Sequence, residues 1–506
     1  MALVGIDVGT SGCKVVAFGE EGKVLSQASR EYPFSVPRSG WLEIDPEKIR
    51  LAVNQSLGEV LRQTKEPVQS IAVASHGETL LPLDREGRFL HPAIANFDTR
   101  AYDYVNFWQE KIDPFEIFQI TGMPLHGMYT VNKVLWLRDN LPQIWARVWK
   151  LVCMEDYVLY YLTGEEPKID PSLAVRTMLL DTKRQKWSTR MFELADLEPD
   201  LFSSVVPSGE AVGQLRPALA QEFGIAYQPI VATGGHDQPC GVLGCGIKQA
   251  GEAMYGLGTS HCVALNLGER LRLTREMMDN AFCCSPHVIA GSYITLAYIA
   301  SGGSILRWFR DQFGFEEKWK AEEEKKDPYQ VLMERMPATP ASVFLLPHFA
   351  GSGTPYLDER SLGAIVGLNL GTTKGEVVRA ILESLTYEMK YNLELIESFG
   401  VAIDSLRAVG GGSHSENWLS LAANILQKPI STFSTGEAVA KGAAMLAGWA
   451  RGEFKSWEEA IQRMVSVAKT IEPEKSMIDH YQPRYEIYRK IYRQLRDLNQ
   501  EINDLL

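Results

Sequence analysis

Two short stretches of this chain repeat one pattern about half a chain length apart. Leu3-Val4-Gly5-Ile6-Asp7-Val8 reads as an apolar strand running into the turn Gly9-Thr10-Ser11-Gly12, after which Val15-Val16-Ala17-Phe18 resumes as a second strand. The pattern returns as Ala253-Met254-Tyr255-Gly256-Leu257, the turn Gly258-Thr259-Ser260, and the strand Cys262-Val263-Ala264-Leu265. One such hairpin is a weak signal. A pair predicts a duplicated α/β domain with a phosphate-facing hairpin in each half. Glycine lets a backbone approach a ligand closely, and successive N–H groups with Thr and Ser hydroxyls cradle phosphate oxygens. No GxxxxGK[ST] sequence occurs, which excludes a P-loop enzyme.

Apolar strand-like runs at 70–74 and 228–233 alternate with stretches of helical period such as 46–62. A Gly-rich segment, 234–251, joins the halves, and the second half runs to about residue 452 with long helices at 374–399 and 415–426. Residues 316–327 carry dense mixed charge and read as a solvated helix or loop. After Pro483, Tyr485, Tyr488, Tyr492, Leu495, Leu498 and Ile502 form one apolar stripe on a terminal helix packed on the body. The expected units are 1–245, 246–452 and a helical extension, 453–506.

A net charge of -12 argues against nucleic acid or an anionic membrane as partner. No run is apolar and long enough to span a bilayer, and the N-terminus lacks the pattern of a signal peptide. The seven cysteines are scattered without CxxC spacing, as expected of free buried thiols in a cytoplasmic protein.

Three places could carry chemistry. The two hairpin turns, with Asp7 ending the first strand, suit phosphates and a magnesium ion that takes few carboxylates and keeps several waters. Gly234-Gly235-His236-Asp237-Gln238 ends an apolar strand and exposes Asp237 to a cleft. Phosphoryl transfer needs positioning, charge neutralisation and a carboxylate to accept the hydroxyl proton, and Asp237 suits that last role. Against this stands the plain alternative that Asp237 caps the next segment; His236 and His76 are weaker candidates for a base. Finally, Gly410-Gly411-Gly412-Ser413 leads into a helix and suits close approach of a nucleotide.

With these residues in view the chain resembles the FGGY carbohydrate kinases, the group containing xylulokinase, ribulokinase and glycerol kinase. The resemblance runs through Gly5 to Ser11, Asn96-Phe97-Asp98-Thr99-Arg100, Ala174-Val175-Arg176-Thr177 with Asp181, Gly235 to Gln238 and Leu257 to Ser260. It continues through Ser301-Gly302-Gly303-Ser304 before Arg307-Trp308, Gly367-Leu368, Arg379 to Glu383, and Gly410 to Trp418. It implies two actin-like (ribonuclease H-like) α/β domains around a central cleft, with sugar on the N-terminal domain and ATP on the C-terminal one. It implies Asp237 as catalytic base and Asp7 near Mg2+. Thr10, Ser11, Lys14, Gly258, Thr259, Gly303, Gly411, Gly412 and Ser415 would meet ATP. His76, Gly77, Glu78, Asn96, Asp98 and Gln238 would meet the substrate.

Glycerol kinases carry Arg-Glu where this chain has Gly77-Glu78, Trp at Asn96 and Tyr at Met128; xylulokinases carry Met-His at Gly77-Glu78. The small Gly77 and Asn96 leave more room than glycerol needs, so the expected substrate has four to six carbons, a ketopentose such as xylulose or an alditol. Arg360-Ser361-Leu362-Gly363 stands where the family shows Ala-Arg-Gly, and Asn424 where Asp is common. The rival readings are an actin-like or Hsp70-like ATPase and a sugar sensor without turnover. A homodimer is a candidate assembly.

Overall fold

Residues 2–31 form three antiparallel strands, β1 (Ala2–Val8), β2 (Gly12–Phe18) and β3 (Val24–Glu31). β1 is apolar along nearly its whole length because both its faces are covered, whereas β3 alternates buried and exposed residues as an outer strand does. Asp45 caps α1 (Pro46–Gln63) by accepting from Glu47 N, and Ile49, Val53, Leu57 and Val60 bury its inner face. β4 (Val68–Ser75) then returns parallel to β1. After an insertion that includes α2 (Thr130–Asn140) and α3 (Met154–Thr163), β5 (Ala211–Gln214) and β6 (Ile230–His236) complete the sheet, in the order β5-β6-β4-β1-β2-β3. The structure is a computed structural model and describes residues 1–434 and 436–505.

α4 (Asp237–Gly244) follows β6 directly, so the Gly-rich joining segment is largely strand end and helix. The second sheet contains β7 (Glu252–Leu257), β8 (His261–Gly268), β9 (Ser285–Pro286), β10 (Tyr293–Ile299), β11 (Ser405–Val409), β12 (Ile430–Phe433) and β13 (Val467–Ile471), in the order β9-β10-β8-β7-β11-β12-β13. Its core, β10-β8-β7-β11-β12, has the same antiparallel-then-parallel pairing as β3-β2-β1-β4-β6. The duplication read from the hairpins is therefore a duplication of the whole actin-like sheet. Around it lie α5 (Gly303–Phe313), α6 (Lys374–Ser398), α7 (Glu416–Leu426), α8 (Ala438–Ala450) and α9 (Lys475–Asn503).

The halves meet where α4 crosses α8 backbone to backbone. A Cβ on Gly442 would lie 1.8 Å from Cys240 O, and one on Gly244 1.8 Å from Ala438 O. Since α4 begins with Asp237, this crossing fixes the candidate base relative to the second half. Gly442→Val is expected to destabilise the protein by more than about 3 kcal/mol, beyond ordinary overpacking, because the obstacle is main chain. Denaturant unfolding would measure it; a change under 1 kcal/mol would contradict the packing.

The terminal helix starts at Lys475, eight residues before Pro483, which lies inside it ahead of the expected apolar stripe. Packing overrides the local preference of proline: Arg379 donates to Tyr481 OH (2.7 Å), Tyr485 OH to Glu394 (2.5 Å) and Tyr488 OH to Glu388 (2.5 Å) along α6. Helix 315–324 fits the expected charged segment, except that Glu317 is buried against Lys374. Asn424 accepts from Glu474 N at 2.7 Å and so secures the entry to α9.

Candidate active site

β6 leaves its ladder near its end. The register with β4 shifts between Thr233 and Gly235, and Gly235 takes φ 141°, which favours glycine. The freed amides find side chains instead: Gly234 N donates to Glu155 of α3 (2.9 Å) and His236 N to Ser172 Oγ (2.9 Å). Asp170 supports this by accepting from Ser172 N and Leu173 N. Asp237 therefore opens α4 from a rigid platform.

The Asp237 carboxyl is pushed up to about 6, first by burial and then by the Glu78 charge, while Gln238 and Arg176 pull it down. Its Oδ1 is buried without a hydrogen-bond partner, as is Gln238 Oε1 and, just after the short strand Ala93–Ile94, Asn96 Oδ1. His236 Nε2 lies 3.2 Å from Asp237 Oδ1, and burial holds His236 neutral. Asp7 is pushed up to about 7 by burial and next by the Asp237 charge, with Lys14 opposing. The two acids thus share one neighbourhood at the mouth of the first hairpin.

The remaining first-half residues divide into open and occupied groups. His76 bonds Val8 O (2.9 Å) and Thr79 Oγ1 (2.7 Å) through its two ring nitrogens, so it ties β1 to β4 and is not free to act as a base. Asp98 is fully buried and accepts from Leu42 N, Arg100 N and the Arg100 guanidinium, which lies 4.0 Å from the Trp41 ring centre. It shapes the loop and does not bond Asn96, whose Oδ1 stays without a partner. Glu78 holds a left-handed φ of 62° and is ion-paired with Arg176. The room expected over Gly77 is filled by that arginine: a Cβ on Gly77 would meet Arg176 Cγ at 3.0 Å.

Sequence reasoning named Arg176 only within a motif and passed over Lys133. Lys133 Nζ, fully buried, donates to Glu78 O (2.7 Å), Met128 O (2.7 Å) and, at 3.4 Å, Asn96 O. Burial brings its ammonium down to about 8. A lysine just before the apolar run Val134-Leu135-Trp136-Leu137 was the available signal.

The second half holds a cleft of about 1030 Å3 that gathers Gly258, Thr259, Gly303, Gly411, Gly412 and Ser415. The space beside Gly411 is open, with no atom within 4 Å of where its Cβ would be. Gly303 N donates to Gly258 O (2.9 Å), so Gly303 shapes the wall by close packing. Ser415 caps α7 by accepting from Trp418 N. Tyr329 and Met333 line the same cleft and were not foreseen, and Arg307, named only within a motif, lines it too. Thr10, Ser11 and Lys14 belong to the first hairpin and not to this wall; Lys14 pairs with Glu437, just before α8, at 2.9 Å. Residues 360–363 bind the terminal helix and not the cleft: Arg360 donates to Gln500 O, and Asn503 to Arg360 O.

Two actin-like sheets, a cleft walled by glycines and a carboxylate with one buried, unbonded oxygen at their seam set the frame for comparison with known proteins. Residues 2–244 match the model of the N-terminal domain of the FGGY family of carbohydrate kinases, and residues 253–451 that of its C-terminal domain. The chain belongs to this family. The kinase is 30% identical to a xylulose kinase of Escherichia coli over 98% of this chain and 99% of that one. It is 27% identical to a gluconokinase of Bacillus subtilis over 99% and 98%. Its structure is similar to that of a "xyloylose kinase" from Brucella ovis, with TM-score 0.87, 29% identity and coverage of 98% and 100%. The kinase is thus an ATP-dependent phosphotransferase acting on a sugar or sugar alcohol. No helix among the described residues is long and apolar enough to cross a membrane.

Proposed function

We propose that this kinase transfers the γ-phosphoryl group of ATP to a hydroxyl of a neutral ketopentose or alditol, with xylulose as first candidate and Asp237 as base. The observation that carries the reading is the set of buried acceptors without partners, Asp237 Oδ1, Gln238 Oε1 and Asn96 Oδ1. Buried polar groups left unpaired cost stability, and sugar hydroxyls would satisfy them. Relatives named xylulose kinase support the ketopentose. Against gluconate, the acid named by other relatives, stands the charge of the pocket. The two buried cations beside Glu78 are already engaged, Arg176 by Glu78 and Lys133 by carbonyl oxygens, so neither is free to greet a substrate carboxylate.

In this mechanism Asp237, ionised, accepts the proton of the attacking hydroxyl as the bond to phosphorus forms. Gln238 and Asn96 orient neighbouring hydroxyls, and His236 stays neutral beside the base. The glycine walls of the second half admit ATP, and closure of the cleft would keep water from taking the phosphoryl group. Asp7 fits a hard divalent cation, since burial and the Asp237 charge hold its carboxyl up and a cation beside it would relieve that. Mg2+ would bind through Asp7 with water and phosphate oxygens, and it supplies neutralisation of the phosphate charge.

A coupled ADP-release assay over ketopentoses, alditols, glycerol and gluconate tests the assignment. At least tenfold stimulation by one neutral four- to six-carbon member, with gluconate and glycerol weak, is expected. Equal ADP release without any sugar would favour the actin-like ATPase and contradict the proposal, as would preference for gluconate.

A further inference from the structure

The loop between Gly351 and Gly363 in the second half is fixed from behind. Ser352 N donates to Asp358 O (2.9 Å) and Asp358 N to Ser352 Oγ (2.7 Å), which closes the loop on itself. Both neighbours of Glu359 are then tied to α9: Tyr492 OH donates to Asp358 Oδ2 (2.9 Å), Arg360 donates to Gln500 O (2.8 Å), and Asn503 donates to Arg360 O (2.6 Å). Glu359 itself reaches the other way, into the first half, with 57% of its side chain exposed.

There its carboxylate lies 3.8 Å from His126 Nε2. Met128 N donates to His126 Nδ1 at 3.2 Å, so the neutral ring carries its proton on Nε2, toward Glu359. Burial brings His126 down to about 4 and keeps it neutral at working pH. A gap of 3.8 Å is too long for a direct hydrogen bond. It suits a third oxygen that donates to Glu359 and accepts from His126, which is what a sugar hydroxyl can do. Tyr102 packs edge-on to His126 with ring centres 5.2 Å apart, and its phenol hydrogen-bonds the Glu359 carboxylate, which leaves that carboxylate's remaining lone pairs for a substrate hydroxyl. Tyr298 feels the charges of Arg176, Glu78 and Glu359, so these groups from both halves share one neighbourhood.

We propose that Glu359 is a specificity-determining residue, lent by the second half to the sugar pocket, which binds one substrate hydroxyl together with His126. The proposal rests on the reading that the Asp237 neighbourhood is the sugar site. It gives the terminal helix a part in substrate choice, because that helix holds the loop bearing Glu359. A carboxylate in this corner accepts from a hydroxyl and repels a substrate carboxylate, so it selects neutral sugars long enough to reach it.

The test is steady-state kinetics of Glu359→Ala and Glu359→Gln with ketopentoses, a three-carbon polyol and gluconate. Glu359→Ala is expected to raise KM for the preferred sugar roughly 10–100-fold, the range for loss of a hydrogen bond to a charged group. Its kcat, the KM for ATP and the residual rate on the three-carbon polyol should stay within twofold, and the preference over gluconate should narrow at least tenfold. Glu359→Gln, which keeps an acceptor oxygen, should recover part of the affinity without restoring the discrimination. An unchanged sugar KM, or equal losses on long and short substrates, would overturn the assignment of Glu359 alone. A wild-type enzyme that turns over no sugar of the panel would overturn both it and the functional reading.

Discussion

Asp237→Asn is expected to lower sugar-dependent turnover by roughly 10²–10⁴-fold, the usual range for a positioned general base, while ATP binding persists. It should also leave the protein no less stable at neutral pH. The Asp237 carboxyl is held at about 6 in the folded protein against 3.8 for the free group, so the folded state binds the proton more tightly. Stability therefore falls as pH rises from the free value through the folded one, and the penalty is complete above about pH 6. Asparagine removes it, so the melting temperature of the variant should equal or exceed that of the wild type at pH 7 to 8, with the gap vanishing near pH 4. In kinetics the wild type should show an acid limb in kcat/KM for the sugar with a midpoint near pH 6, and the variant none. A variant with full activity, or the same acid limb, would remove Asp237 from the reaction.

Arg176→Met is expected to act on stability and pH profile together. Arg176 and Glu78 form a buried ion pair, and removal of one partner leaves the other charge uncompensated, at a cost of about 3–5 kcal/mol. Glu78 raises the Asp237 carboxyl and Arg176 lowers it, so the variant should move the acid limb of kcat/KM to higher pH. Adding Glu78→Gln removes the stranded charge; the double variant should recover most of the stability and bring the limb back down. Urea unfolding with a pH–rate profile for the three proteins measures both effects. A single variant as stable as wild type, with an unmoved limb, would contradict the pairing.

The two hairpins, the strand end before Asp237 and the glycine run at 410–412 were legible in the sequence because each is local: short apolar runs broken by glycine at a fixed place. The duplication of the entire sheet followed from them. What stayed hidden depended on partners far away in the chain. Gly77 looked like vacant space, but Arg176, 99 residues on, lies over it. Asp98 looked like a sugar contact, but Arg100, held against Trp41, occupies its oxygens. Glu359 carried no motif of its own, and only the docking of α9 on Asp358 and Arg360 aims it at His126. The apolar stripe was read only from after Pro483, whereas the helix runs from Lys475 and its tyrosine contacts with α6 begin before the proline.

The central claim is that Asp237 activates a sugar hydroxyl toward ATP. Phosphorus NMR of a reaction containing enzyme, Mg2+, ATP and the preferred ketopentose tests it most directly. A new phosphate monoester is expected to grow in equal amount with ADP, with little inorganic phosphate, and neither change should rise above background with Asp237→Asn. Inorganic phosphate in place of the ester, or an ester formed equally fast by Asp237→Asn, would contradict it.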